Sequence, residues 1–174
     1  MKEITFQLNK QKIILLLIGS AGFVIFGIWL FQIADTIFIY SILTKIVSVA
    51  CITFFGFGAV YLSMKLFDNK PGLIINDDGI IDNSSYISVG LIRWKNITNV
   101  SITEIDTQKI LTIELNNADE IIQKQNGSKK VLMSLNKNLY KSPVQISSIA
   151  LKCDFQELYS TLKEQLAAHQ GALN

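Results

Sequence analysis

Two apolar runs decide most of what this chain can become. From residue 13 to residue 34 there is no ionisable side chain, the next charge being Asp35, and a second uncharged run occupies residues 46–64. A helix rises about 1.5 Å per residue, so about 20 apolar residues span the hydrocarbon core of a bilayer, and each run is long enough to cross. The polar atoms of the second run are hydroxyls, a thiol and backbone, which a helix satisfies internally, as lipid requires. Residues 13–67 therefore read as a transmembrane helical hairpin. A secretory signal is the competing reading of the basic start and first run, but that run is too long for a signal core and a second span follows it.

Once the hairpin is set aside, roughly 100 residues remain, the size of one compact domain. The division is 1–12, an N-terminal segment; 13–67, the hairpin; and 68–174, a soluble domain. Charge is divided along the same line. Residues 1–70 carry six lysines against three carboxylates, a balance of +3, whereas residues 71–174 carry ten basic and eleven acidic side chains, a balance of −1. The positive charge sits beside the spans and not across the soluble domain, which argues against a nucleic-acid partner.

Lys2, Lys10 and Lys12 flank the first span and Lys65 and Lys70 the end of the second, while the connection holds Asp35 and Lys45. By the positive-inside rule both termini face the cytoplasm. Two cysteines, Cys51 in a span and Cys153 near the end, suit unpaired thiols in a reducing compartment. His169 is the only histidine, and its place in the last six residues reads as frayed surface. No cofactor or metal is expected. Gly19, Gly22 and Gly27 in the first span, with Gly56, Ala59 and Ser63 in the second, let helices approach closely. They close the hairpin on itself or, through Gly19, Gly22, Gly56 and Ala59, join copies of the chain. Trp29, Tyr40 and Tyr61 suit membrane interfaces.

The N-terminal segment alternates Ile4, Phe6 and Leu8 with polar residues, which predicts a short strand able to dock on the soluble domain. After the breaker Pro71-Gly72 the text turns strand-like: residues 73–76, the turn Asp77-Asp78-Gly79, residues 80–82, the turn 83–85, then 86–94, 99–104 and 109–115. A short helix is expected at 118–125, and further strands at 131–135 and 144–149. The chain closes with a helix over 155–168, capped by Asp154 with Glu157 three residues on. Its Phe155, Leu158, Leu162 and Leu166 share one face.

Antiparallel strands followed by one amphipathic helix is the plan of a pleckstrin-homology-like (PH-like) domain. Gly79-Ile80-Ile81-Asp82, the segment from Val89 through Gly90, Ile92 and Trp94 to Ile97, and Asp154-Phe155-Gln156-Glu157-Leu158 resemble the glycine turn, the tryptophan segment and the terminal helix of bacterial PH-like domains. With two spans ahead of them, and Ser147-Ser148-Ile149-Ala150-Leu151 before the helix, the whole is similar to a family of small bacterial inner-membrane proteins. The resemblance implies a membrane α-helical hairpin plus an α+β soluble domain, its strongly bent antiparallel sheet capped by the C-terminal helix. Its motifs are structural and carry no catalytic residue across.

Chemistry-bearing candidates are few. Trp94 reads as a core or rim anchor, with ligand stacking as the alternative. Arg93 and Lys95 flank it and are placed to meet lipid headgroups or a solvated edge. Lys124, Lys129, Lys130, Lys137, Lys141 and Lys152 occur from residue 121 to 153 without an acidic residue among them. If they share a face, anionic lipid attracts them by about 1 kcal/mol each. There is no nucleophile elbow, no phosphate loop and no histidine relay. Asp77/Asp78 and Asp119/Glu120 are paired carboxylates at a turn and a helix start, where they serve the backbone. The sequence thus points to a non-enzymatic, membrane-anchored binding module whose partner is membrane lipid or an unknown protein. Two other classes stay open: a protection protein against a membrane-acting or injected toxin, and an accessory subunit of a membrane complex.

Overall fold

The computed structural model describes residues 3–36, 41–105 and 108–171. Lys2, Tyr40 and residues 37–40 of the connection lie outside them. The chain forms two compact units, one from Lys10–Asn69 and the other from Met1–Asn9 together with Lys70–Asn174.

The first unit is a pair of helices, α1 (Lys10–Ile33) and α2 (Ser41–Phe67), with a 3₁₀ turn at Ala34–Thr36. At about 1.5 Å per residue α1 is about 36 Å long and α2 about 40 Å. Both are long and apolar enough to cross a membrane. Their contact is made where bulk is missing. A Cβ built on Gly27 would lie 2.9 Å from Cγ1 of Ile52 and 3.4 Å from the Ser48 carbonyl oxygen, so glycine sets the helix separation there. One turn away Phe23 stacks on Phe55 with ring centroids 4.3 Å apart. At one end of the pair the Lys10 ammonium donates to the carbonyls of Lys65 (3.0 Å), Leu66 (2.6 Å) and Asp68. It meets the last carbonyls of α2, which no turn of helix satisfies, at the negative end of the helix dipole. Asp35 and Lys45 form an ion pair of 2.6 Å near the other end. Gly19 and Gly22 are exposed and have no neighbour within reach of a Cβ, and Gly56 has none either. The hairpin closes through Gly27 and not through them.

Among the described residues the second unit carries seven strands: β1 (Ile4–Phe6), β2 (Leu73–Ile75), β3 (Gly79–Asp82), β4 (Gly90–Arg93), β5 (Ile97–Ile105), β6 (Gln108–Leu115) and β7 (Val144–Ser147). They form two antiparallel sheets, ordered β1-β2-β3-β4 and β5-β6-β7. The break falls at a 3₁₀ turn, Trp94–Asn96, between β4 and β5. The described residues of the unit also form the helices α3 (Ala118–Gln123), α4 (Gly127–Tyr140) and α5 (Phe155–Gly171).

Both sheets and α5 share one core. Leu73, Ile75, Ile80 and Ile92 of the first sheet and Val100, Leu111, Ile113 and Ile146 of the second meet Leu158 and Leu162, all 3% exposed or less. Asp154 caps α5, its Oδ1 accepting from the backbone N–H of Gln156 at 2.8 Å. The β2–β3 turn is held by the Asn76 side chain, whose Oδ1 accepts from the N–H groups of Asp78 (3.1 Å) and Gly79 (3.2 Å). β1 adds to the edge of β2 in register Ile4 with Ile75 and Phe6 with Leu73. Just after it, Leu8 bridges to Leu151, and Lys152 N–H donates to the Gln7 carbonyl at 2.8 Å. Residues 3–9 are therefore part of the second unit.

Two segments differ from the sequence expectation. Residues 131–135 are not a strand but lie within α4, because apolar residues at 131, 135 and 139 recur every four positions and the preceding Gly127 opens a helix. Residues 86–89 do not extend β4. Ser85 N–H donates to Ser88 Oγ at 2.9 Å and Ser88 N–H to the Ser85 carbonyl at 3.3 Å, which closes a turn before the strand begins.

Candidate binding cleft

Arg93 ends β4 and Lys95 lies in the 3₁₀ turn that follows; alternation turns Ile92 and Trp94 into the core and leaves Arg93 and Lys95 exposed. Across from them runs α3. Between the two lies a cleft of about 500 Å³ lined by Leu91, Arg93, Lys95, Glu120, Ile121 and Lys124 among others. Three cations face it against one carboxylate. Glu120 is engaged: Lys124 Nζ lies 2.6 Å from its Oε1, a salt bridge one helical turn apart. The hydrogen bond and the charge of Lys124, with Asn117 as a further donor, hold the Glu120 carboxyl below its usual range. Arg93 and Lys95 are thus the cations left to meet an arriving anion, and the planar guanidinium suits a phosphate or carboxylate fork. Leu91 and Ile121 give the cleft an apolar wall. The side-chain oxygen of Asn117, also on the lining, is buried and has no hydrogen-bond partner among the described residues.

The cleft gathers three of the eight basic residues singled out in the sequence: Arg93, Lys95 and Lys124. Lys152 is exposed between β7 and α5, and the other four belong to α4 and its end. Lys129 Nζ donates to the Ser88 carbonyl at 2.6 Å, and Lys137 pairs with Asp119 at 2.5 Å. Lys130 is exposed, and Lys141 stands just past the helix with a left-handed φ of 63°. Lys130 and Lys137, two turns apart, share one side of α4. Glu120 and Asn117 belong to the cleft but carried no ligand signal in the sequence; only the Asn116-Asn117 break after β6 marks where the helix begins.

Trp94 takes no part in the cleft. It is 4% exposed, its Nε1 donates to the Asn76 carbonyl at 2.8 Å, and its ring is covered by His169. Among the described residues no group of three or more histidine, cysteine or acidic side chains could hold a metal ion. Comparison with protein-family models, with curated proteins and with solved structures finds no match to this chain.

Proposed function

We propose that this chain is a non-enzymatic binding module, anchored by its helical hairpin in a bacterial inner membrane with both termini in the cytoplasm, and that its soluble unit takes an anionic group of a lipid or protein into the cleft beside β4. The observation that carries the reading is the convergence of Arg93 and Lys95 on one cleft, beside the Lys124–Glu120 ion pair. Anchoring is supported by what α1 and α2 leave uncovered: Leu15, Ile25, Phe54 and Phe57 are between 68% and 74% exposed. Apolar surface of this extent is costly in water and suits lipid. A PH-like character is supported by the order of elements, antiparallel strands followed by a C-terminal helix whose leucines enter the strands' core.

The test uses the full chain, because a fragment beginning at residue 71 would lack β1 and expose the edge of β2. Affinity capture from solubilised membranes is compared for the wild-type chain and the Arg93→Ala/Lys95→Ala double variant. The expected result is a lipid class or protein enriched over a detergent control and lost in the variant. Enrichment of nothing, or equal capture by both, contradicts the proposal.

A further inference from the structure

The helix α4 is amphipathic in the wrong direction for a soluble protein. Its buried residue is Met133. On another side Val131, Leu132, Leu135 and Leu139 are all exposed, from 42% to 72%. At 100° per residue these four occupy one arc of about 100°, so they form a continuous apolar stripe about two and a half turns long. Tyr86, half exposed, reaches the start of that stripe and shares a hydrogen bond of 3.0 Å with Ser128 Oγ. An aromatic with a polar tip at the margin of an apolar face is what a lipid headgroup boundary favours. About opposite the stripe, beyond Ser134 and Asn138, runs the side that carries Lys130 and Lys137, with Lys141 just past the helix. Residues 121–153 contain no acidic side chain. The two nearest carboxylates are engaged, Glu120 by Lys124 and Asp119 by Lys137.

We infer that α4 is a second membrane contact: it lies in the headgroup region of an anionic bilayer, with Val131, Leu132, Leu135 and Leu139 in the acyl boundary and Lys130 and Lys141 on the phosphates. This rests on the anchoring proposed above, which holds the soluble unit near a bilayer. The charge pattern selects lipid over a second copy of the chain. A two-fold contact through the stripe would bring up only the same acid-free segment of a second copy and no complementary charge, whereas anionic headgroups supply it. Helices of this composition lie along the interface and do not span it.

The experiment labels the full chain, carrying Cys51→Ala and Cys153→Ser, with an environment-sensitive fluorophore at Leu135→Cys or, separately, at Phe57→Cys on α2. Each labelled protein is reconstituted in phosphatidylcholine vesicles with and without phosphatidylglycerol. The Leu135→Cys label is expected to shift to the blue and to be quenched by lipid-borne quenchers when phosphatidylglycerol is present. Lys130→Gln and Lys141→Gln should each weaken that docking equilibrium about fivefold, the equivalent of about 1 kcal/mol per lysine. If the Phe57→Cys label reports lipid while the Leu135→Cys label stays in water with either lipid, the docking of α4 is overturned and the anchoring stands. A Phe57→Cys label in water overturns the anchoring itself. Shielding of the Leu135→Cys label that follows protein concentration and not phosphatidylglycerol assigns the stripe to a second copy and overturns the proposal.

Discussion

The imidazole of His169 lies flat on the indole of Trp94, with ring centroids 4.9 Å apart and planes inclined by 19°. The contact ties the last turns of α5 to the turn between the two sheets, and it closes the aromatic face that a stacking ligand would have used. A stacked aromatic pair contributes about 0.5–1.5 kcal/mol beyond the area it buries. His169→Ala is therefore expected to destabilise the second unit by about 1 kcal/mol. In a Trp29→Phe background it should also shift Trp94 emission to the red, since water then reaches the ring. Unchanged emission would contradict the stack.

Gly79 has no room for a side chain. Its φ is +155°, and a Cβ there would lie 2.0 Å from the Ile92 carbonyl oxygen and 2.8 Å from the Arg93 Cα, both backbone of the paired strand β4. Neither atom can swing aside as a side chain would. Gly79→Ala should cost about 2–4 kcal/mol, from the strained φ together with the overlap, read as a lower midpoint in chemical unfolding.

Lys10 holds the two helices of the first unit together through three carbonyls at the end of α2. Lys10→Met keeps the length of the side chain and removes the charge. It should cost about 1–2 kcal/mol, the range for a favourably placed cation at a helix C-terminus, measured by denaturing-detergent titration of the full chain. Lys10→Arg should recover part of the loss.

Cys153 titrates late. Burial raises its thiol above the ordinary value, and the neighbouring Asp154 and Glu157 carboxylates raise it further. Alkylation by iodoacetamide in a Cys51→Ala chain should therefore be slower than that of the unfolded chain at mildly alkaline pH, because less thiolate is present. For stability the sign follows from the folded value lying above the unfolded one. The contribution is fully present below the usual thiol range and is lost as pH rises through the raised value.

The elements legible in the sequence are those whose signal is local. The uncharged runs mark α1 and α2, the Asp-Gly turn marks the β2–β3 hairpin, and the spacing of Phe155, Leu158, Leu162 and Leu166 marks α5, where all four are buried. The alternation of Ile4 and Phe6 likewise predicts a strand, and those residues pair with β2. What escaped is set by partners distant in the chain. Lys10 reads as a flanking charge until the end of α2, more than fifty residues later, is brought to it. His169 reads as frayed terminus, yet α5 continues to Gly171 and places the ring on Trp94. The helix α4 escaped because its strongest apolar periodicity points away from the core, so the rule that apolar faces mark burial does not find it. In the cleft, Arg93 and Lys95 were legible from alternation around Trp94, but Glu120 was not, since nothing near it in sequence tells that α3 lies across from β4.

Held in lipid, α1 and α2 should keep the intact chain in the membrane pellet through an alkaline carbonate wash of cell membranes. Recovery of the intact chain in the aqueous fraction would contradict that placement.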